Sequence, residues 1–455
     1  MLLSSEASAS VACFVSFGEA KGEHSDPEIV LEDITLTNDE VITVLTNLNN
    51  NKAHGPDGIP ARLLTETSSQ IAPSLCALFN KSLRCGVLPD DWKLANVVPV
   101  HKRGEKSYIE NYRPISLLSL ISKVHERCVF HNIQHHVFQQ INPCQHDFVP
   151  RKSCVTQLIE VFEQIGRKLD NGKQIDVIYL DMSKAFDKVS HAQLMHRLHK
   201  FGFRGNLLNW FSSYLSNRNQ QTTIGGATSR SLAVTSGVQQ GSILGPLLFL
   251  LYENHLSESV GNSSIATFAD DTKIFKTVNN VSDASSLQKD LTNFEENSSK
   301  ANLILNAQKC KVMRITRKHH KTEYPYKLHD AVLESTVHER DLGVWTSSNL
   351  TWSKHIEDQC AQTTKMLGYL RRSTLDTKTI SIRQRATRSA DPDGLKSTTP
   401  KCRTATFQRS FISRCARVWN VLPKELTTKN ISLGRFKIGS EHLQIGSEHL
   451  RRRKS

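Results

Sequence analysis

The segment KQIDVIYLD at 173–181 constrains the fold more than any other. Val177 to Leu180 form an uninterrupted apolar run that predicts a short strand buried on both faces, and the run stops on a carboxylate, Asp181. Further on, SSIATFADDTKIFKTV at 263–278 predicts two short strands meeting around Asp270 and Asp271. Asp181 precedes Asp270 by 270 − 181 = 89 residues, a separation that one sheet can close.

The flanking sequence mixes helical and strand periods. NDEVITVLTNL, from Asn38, has a capping-type start and helical spacing, and it ends in the Asn49-Asn50-Asn51 run and the turn-rich HGPDGIP at 54–60. Residues 61–83 again show helical spacing. LANVVPV at 94–100 predicts a buried strand before the basic loop HKRGEK, and helical spacing returns over 115–140. Residues 191–217 predict two helices, QTTIGG with SLAVTSG a hairpin, 244–256 and 284–301 helices, and KCKVMRITR at 309–317 a strand. The layout is α+β.

Charge is polarised along the chain. The total is +14, but residues 1–40 hold nine acids against one Lys, whereas residues 401–455 hold thirteen Lys and Arg against three Glu. The acidic, Ser-rich stretch 1–40 predicts a disordered leader, and the basic end points to a polyanionic partner, although RRRK at 451–454, taken alone, reads first as a solvated tail. The repeated IGSEHL at 438–443 and 445–450 is too short for a solenoid and implies no function.

Ten cysteines without a CxxC pair or zinc-finger spacing suggest reduced thiols rather than a metal framework. The N-terminus lacks a basic n-region and carries Glu6 within its apolar stretch, which argues against a signal peptide. The longest strongly apolar run, Leu244 to Tyr252, is nine residues and too short to span a bilayer. These features predict an intracellular protein of the cytoplasm or nucleus, without a membrane partner.

Three clustered carboxylates repel by about 1 kcal/mol per pair in water at 4 Å, and by about 4 kcal/mol at an effective dielectric of 20, so such a cluster calls for cations. Oxygen-only ligands favour Mg²⁺, with Mn²⁺ as the alternative. Two such ions roughly 3.5–4 Å apart can serve in-line phosphoryl transfer, the chemistry of a polymerase. An isolated Asp-Asp pair at a turn is more often turn chemistry.

The motifs around these residues change that balance. KAHGPDGIP at 52–60, LANVVPVHKRGEK at 94–106, NYRPISLLSLISKVHER at 111–127, VIYLDMSKAFDKVSH at 177–191, GVQQGSILGPLLF at 237–249, FADD at 268–271, NAQKCKVM at 306–313 and LGVWTSSNLTWSKHI at 342–356 stand in family order. Over about residues 51–360 the chain resembles the reverse transcriptases of non-LTR, jockey- and CR1-like retrotransposons. The resemblance implies a right-hand polymerase fold, with fingers and palm over 41–345, a truncated thumb or connection over 346–390, and a basic tail over 391–455. It implies two-metal nucleotidyl transfer, with an RNA template, a DNA primer and dNTPs as partners.

It also implies roles for single residues. Asp181, Asp270 and Asp271 would bind the metals. Phe186 matches the bulky position that excludes a ribose 2′-hydroxyl, with ordinary core packing as its alternative. Arg113 would pair with triphosphate oxygens, for which a guanidinium fork is well shaped, or else form a surface ion pair. Gln240 and Gly241 match the loop that meets template and nucleotide. Lys309 stands where the family often has a lysine near the triphosphate, and a solvated strand-end lysine is equally consistent. Asp187 reads as serving the first turn of a following helix rather than the metals. The pairs His131/His135 and His196/His199 read as structural, and Trp210, Trp345 and Trp352 as core residues.

Several positions depart from the family pattern. Gln239 stands in place of Pro, which predicts a less rigid loop. Asp147 in QHDF replaces Gly, which predicts strain if that position needs a positive φ. Glu253 introduces a carboxylate into a helix expected to be buried, costly if unpaired. A shortened thumb and the absence of an endonuclease domain leave a second expectation open: a catalytically decayed remnant that only binds nucleic acid. A group II intron maturase fits the FADD context less well.

Overall fold

The structure, a computed structural model, describes residues 30–102 and 104–375. Leu31 bridges to Phe203 and Leu36 is buried before Thr37 caps α1 (Asn38–Thr46) through a capping box with Glu40. Residues 30–37, within the stretch expected to be loose, are thus packed. The rest of the acidic leader, the basic tail with its duplication, and the end of the thumb segment lie outside the described residues.

The helical stretch after residue 60 is two helices, α2 (Ala61–Glu66) and α3 (Ser68–Cys85), the second ended by Gly86 in the left-handed conformation. Next come β1 (Leu94–His101) and β2 (Tyr112–Leu117), an antiparallel pair. The strand expected to be buried, β1, alternates between buried and partly exposed residues over Leu94–Val97 and opens further toward His101. The helix expected from residue 115 starts only at α4 (Leu120–Phe138), because NYRPISL is drawn into β2 by its pairing with β1.

The helix α5 (Cys154–Asp170) was not anticipated, although it buries Leu158, Val161, Ile165 and Leu169 at helical spacing. It leads into β3 (Gln174–Leu180), whose alternating side chains enter two cores. Ile175 and Val177 pack with Val161, Ile165 and Leu169, whereas Ile178 and Leu180 join the main core. That is why the run is apolar throughout: both faces are covered.

The short α6 (Ala185–Lys188), α7 (His191–Lys200) and α8 (Gly205–Leu215) follow. The expected hairpin is β4 (Asn219–Ile224), which pairs with both β5 (Ala227–Thr228) and β6 (Leu232–Ala233), while β4 also runs parallel to β1. α9 (Gly245–Glu253) is shorter than expected and passes into a 3-10 turn. β7 (Ser264–Phe268) and β8 (Asp271–Val278) form the predicted hairpin, followed by α10 (Val281–Lys300) and β9 (Lys311–Ile315).

The small strands β10 (Lys327–Leu328), β11 (Ala331–Val332), β12 (Glu334–Ser335), β13 (His338–Asp341) and β14 (Val344–Ser347) complete this unit. The central sheet has the order β12-β9-β3-β8-β7. A second unit begins with α11 (Ser353–Leu375). Among the described residues no helix is long and apolar enough to cross a membrane.

Trp210 is fully buried, as expected, and Trp345 half-buried. Trp352 is not core: it is 46% exposed, touching Phe162 edge-on.

Candidate active site

Two strand ends build the site. β3 pairs antiparallel with β8 in a register that sets Leu180 against Thr272, so one step further brings Asp181 opposite Asp271. On its other side β8 pairs with β7, with Phe268 opposite Asp271, leaving Ala269 and Asp270 as a two-residue turn. The Asp181 backbone is fixed from a third direction. Its carbonyl accepts from the Asn306 amide at 2.9 Å, and its own amide donates to the Cys310 thiol sulfur at 3.4 Å.

The electrostatics record this convergence. Asp270 is raised above the usual carboxylate range, first by desolvation and further by Asp181, while Lys102 and Arg113 pull it down. Asp271 is pushed up to about 6 by desolvation and then by Asp270, Asp341 and Asp181. Lys309 Nζ lies 3.5 Å from Asp181 Oδ1, an exposed contact. The three carboxylates therefore share one field with Arg113 and Lys309 at its edge. They do not form a closed cage: among the described residues no group of three His, Cys, Asp or Glu side chains is placed to chelate an ion directly. Even so, the donor set is all oxygen, partly desolvated and mutually repelling, and such a set suits a hard divalent cation.

The loop carrying Gln240 and Gly241 lies against β2. The Ser116 amide donates to the Gln240 carbonyl at 2.8 Å, and a Cβ on Gly241, at φ +116°, would stand 2.6 Å from the Ser116 carbonyl oxygen. Gly is required there by both conformation and approach. The Gln240 side chain donates to Asp187 Oδ1 at 3.2 Å, so Asp187 holds this loop as well as sitting in α6. Phe186 is half-buried and stacks on Phe249 with centroids 4.2 Å apart, so core packing accounts for at least one of its faces.

Each departure from the family pattern meets a local answer. Asp147 lacks a positive φ; the left-handed residue is its neighbour Phe148. The loop at Gln239 is tied, since its carbonyl accepts from the Ser242 amide and hydroxyl, and that hydroxyl in turn accepts from the Gly245 amide. Glu253 is not unpaired: Gln145 Nε2 donates to its Oε1 at 2.6 Å.

The matching family model, reverse transcriptase (RNA-dependent DNA polymerase), covers residues 100–369. The chain belongs to the reverse transcriptase family. It is 32% identical over 327 residues to the probable RNA-directed DNA polymerase from transposon X-element of Drosophila melanogaster, an alignment covering 70% of this chain and 36% of that protein. To the RNA-directed DNA polymerase from mobile element jockey of the same organism it is 28% identical, again over 70% of this chain and 36% of the relative. To the probable polymerase from transposon BS it is 27% identical, over 74% and 39%. The chain therefore spans well under half the length of these relatives. Reverse transcriptases as a family use divalent metal ions, in keeping with the all-oxygen character of the site.

Sequence reasoning missed several supporting residues. Glu126 Oε2 accepts from the Ile243 and Leu244 amides and from the Tyr214 hydroxyl, which anchors the far end of the Gln240 loop. Lys273, two residues beyond Asp271, is buried in an ion pair with Asp341 of β13 at 2.5 Å. Gln145 reaches the turn that carries Asp270. The signal for Gln145 stood in QHDF, beside the position that drew notice.

Proposed function

We propose that this chain is the catalytic core of an RNA-directed DNA polymerase from a non-LTR retrotransposon, extending a DNA primer on an RNA template with dNTPs. In this reading the β12-β9-β3-β8-β7 sheet is the palm, the β1–β2 pair belongs to the fingers, and the segment after residue 345 is a shortened thumb. The observation that carries it is the β3–β8 register, which sets Asp181 beside Asp270 and Asp271 at one end of the sheet.

Asp181, Asp270 and Asp271 would hold two Mg²⁺ ions, or Mn²⁺. When bound, such ions supply activation of the primer 3′-hydroxyl and stabilisation of the leaving pyrophosphate. The protein's own groups orient the reactants. Arg113, whose charge already reaches Asp270, presents a fork to the triphosphate, and Lys309 adds a second cation from the Asp181 side. Phe186, backed by Phe249, closes the pocket against a 2′-hydroxyl. Gln240 and Gly241 offer a loop, fixed to β2, against the templating pair.

The test is primer extension on an RNA template with dNTPs and Mg²⁺, comparing the wild-type protein with Asp270→Asn. Extension by the wild type alone supports the proposal. If neither protein extends the primer, the catalytic reading fails, and salt-sensitive RNA binding by both would then favour a remnant that only binds nucleic acid.

A further inference from the structure

Ala269 opens the two-residue turn before Asp270 with φ +48°, a left-handed conformation that such turns usually give to glycine. For a residue with a Cβ this conformation is strained, so the surrounding structure must impose it. Two contacts do so. Residues 144–146 run beside the free edge of β7: the Thr267 amide donates to the Cys144 carbonyl at 3.1 Å, and the His146 amide to the Thr267 carbonyl at 3.0 Å. From that edge the buried Gln145 side chain turns inward. Its Oε1 accepts from the Ala269 amide at 3.1 Å and from the Asp147 amide at 2.8 Å.

A glutamine that accepts with its oxygen leaves its amide nitrogen to be satisfied, and an amide that is free to flip would present the wrong atom to the turn. Gln145 Nε2 donates to Glu253 Oε1 at the end of α9. We propose that Glu253 is a positioning residue: by holding Gln145 in one orientation it fixes the left-handed Ala269 and so aims Asp270 and Asp271. Burial, with Asp270 and Asp147 adding to it, pushes the Glu253 carboxyl well above the usual range, while the hydrogen bond from Gln145 draws it back. The carboxyl that looked like a defect in an apolar helix becomes the first link of a chain that runs Glu253, Gln145, Ala269.

The inference rests on the polymerase reading for its catalytic consequence but not for its structural one, so the test has two arms on the full chain. Wild type, Glu253→Gln and Glu253→Leu are compared by amide hydrogen exchange over residues 264–275 and by primer extension. Glu253→Gln keeps a side-chain oxygen to accept from Gln145 and is expected to match the wild type in both arms. Glu253→Leu keeps the helix apolar and removes the acceptor. In that variant the Ala269 amide should exchange at least about tenfold faster while protection elsewhere is unchanged. Its kcat should fall about ten- to a hundredfold with the KM for primer-template unmoved.

Unchanged exchange at Ala269 in Glu253→Leu would overturn the proposal, as would a uniform rise in exchange across the whole chain, which is the signature of mere destabilisation. Should that variant not fold, Glu253→Met, unbranched and without a carboxyl oxygen to accept from Gln145, leaves the Gln145–Ala269 bond in place and is read in the same way. A wild type that extends no primer refutes the polymerase reading, while the exchange arm still decides the relay.

Discussion

Acid should destabilise this protein in part through a buried ring, His125 of α4. The imidazole is fully buried, stacked on Phe79 with centroids 4.5 Å apart and planes 3° from parallel, and met edge-on by Trp92 and Trp210. Neither ring nitrogen has a hydrogen-bond partner. Desolvation lowers its pKa to about 3, against about 6.5 in the unfolded chain. The native ring therefore stays neutral while the unfolded ring takes up a proton, so the stability it allows is present above pH 6.5 and is lost as the pH falls towards 3.

The gap of about 3.5 units corresponds to at most about 5 kcal/mol, of which about 2 kcal/mol is lost between pH 7.5 and 5.0. Urea unfolding of the wild type and of His125→Phe at those two pH values isolates the effect. Phenylalanine keeps the stack and cannot titrate, and all other groups cancel in the double difference. The variant should lose about 2 kcal/mol less than the wild type on acidification. Equal losses in the two proteins would refute the assignment of a neutral, depressed imidazole.

Three further outcomes are expected. Gly241→Ala should lower kcat/KM for dNTP more than about tenfold in steady-state extension, because its Cβ meets the Ser116 carbonyl oxygen at 2.6 Å and the loop must move off β2; unaltered kinetics would disprove that contact. Asp341→Ala should cost about 3–5 kcal/mol in denaturant unfolding by stranding the buried Lys273, and adding Lys273→Met should recover most of the loss. Glu126→Ala leaves the Ile243 and Leu244 amides and the Tyr214 hydroxyl without their acceptor and should cost at least about 3 kcal/mol, visible as a lower Tm.

Local pattern was enough for the strand that ends on Asp181, for the hairpin at Asp270 and Asp271, and for α7 and α8, since each writes its burial into its own residue spacing. It was not enough for β2. That segment carries a proline and an exposed arginine and becomes a strand only because β1 lies beside it. The charged surface of α5 similarly hid an apolar stripe of which Val161, Ile165 and Leu169 meet one face of β3, a partner visible only in three dimensions.

The sequence by itself determined what kind of protein this is and singled out three carboxylates as candidates, because the motifs keep their order along the chain and hard-cation chemistry depends on residue type. Only the tertiary structure decided which groups stand around those carboxylates. Gln145 and Glu253 are 253 − 145 = 108 residues apart, and Lys273 and Asp341 are 341 − 273 = 68 apart, and nothing local in either sequence forecasts the meeting. A buried Glu253 read in isolation is an unpaired carboxyl; placed next to Gln145 it is a hydrogen-bonded one, because the cost of burial depends on what stands within 3 Å rather than on what stands beside it in the chain.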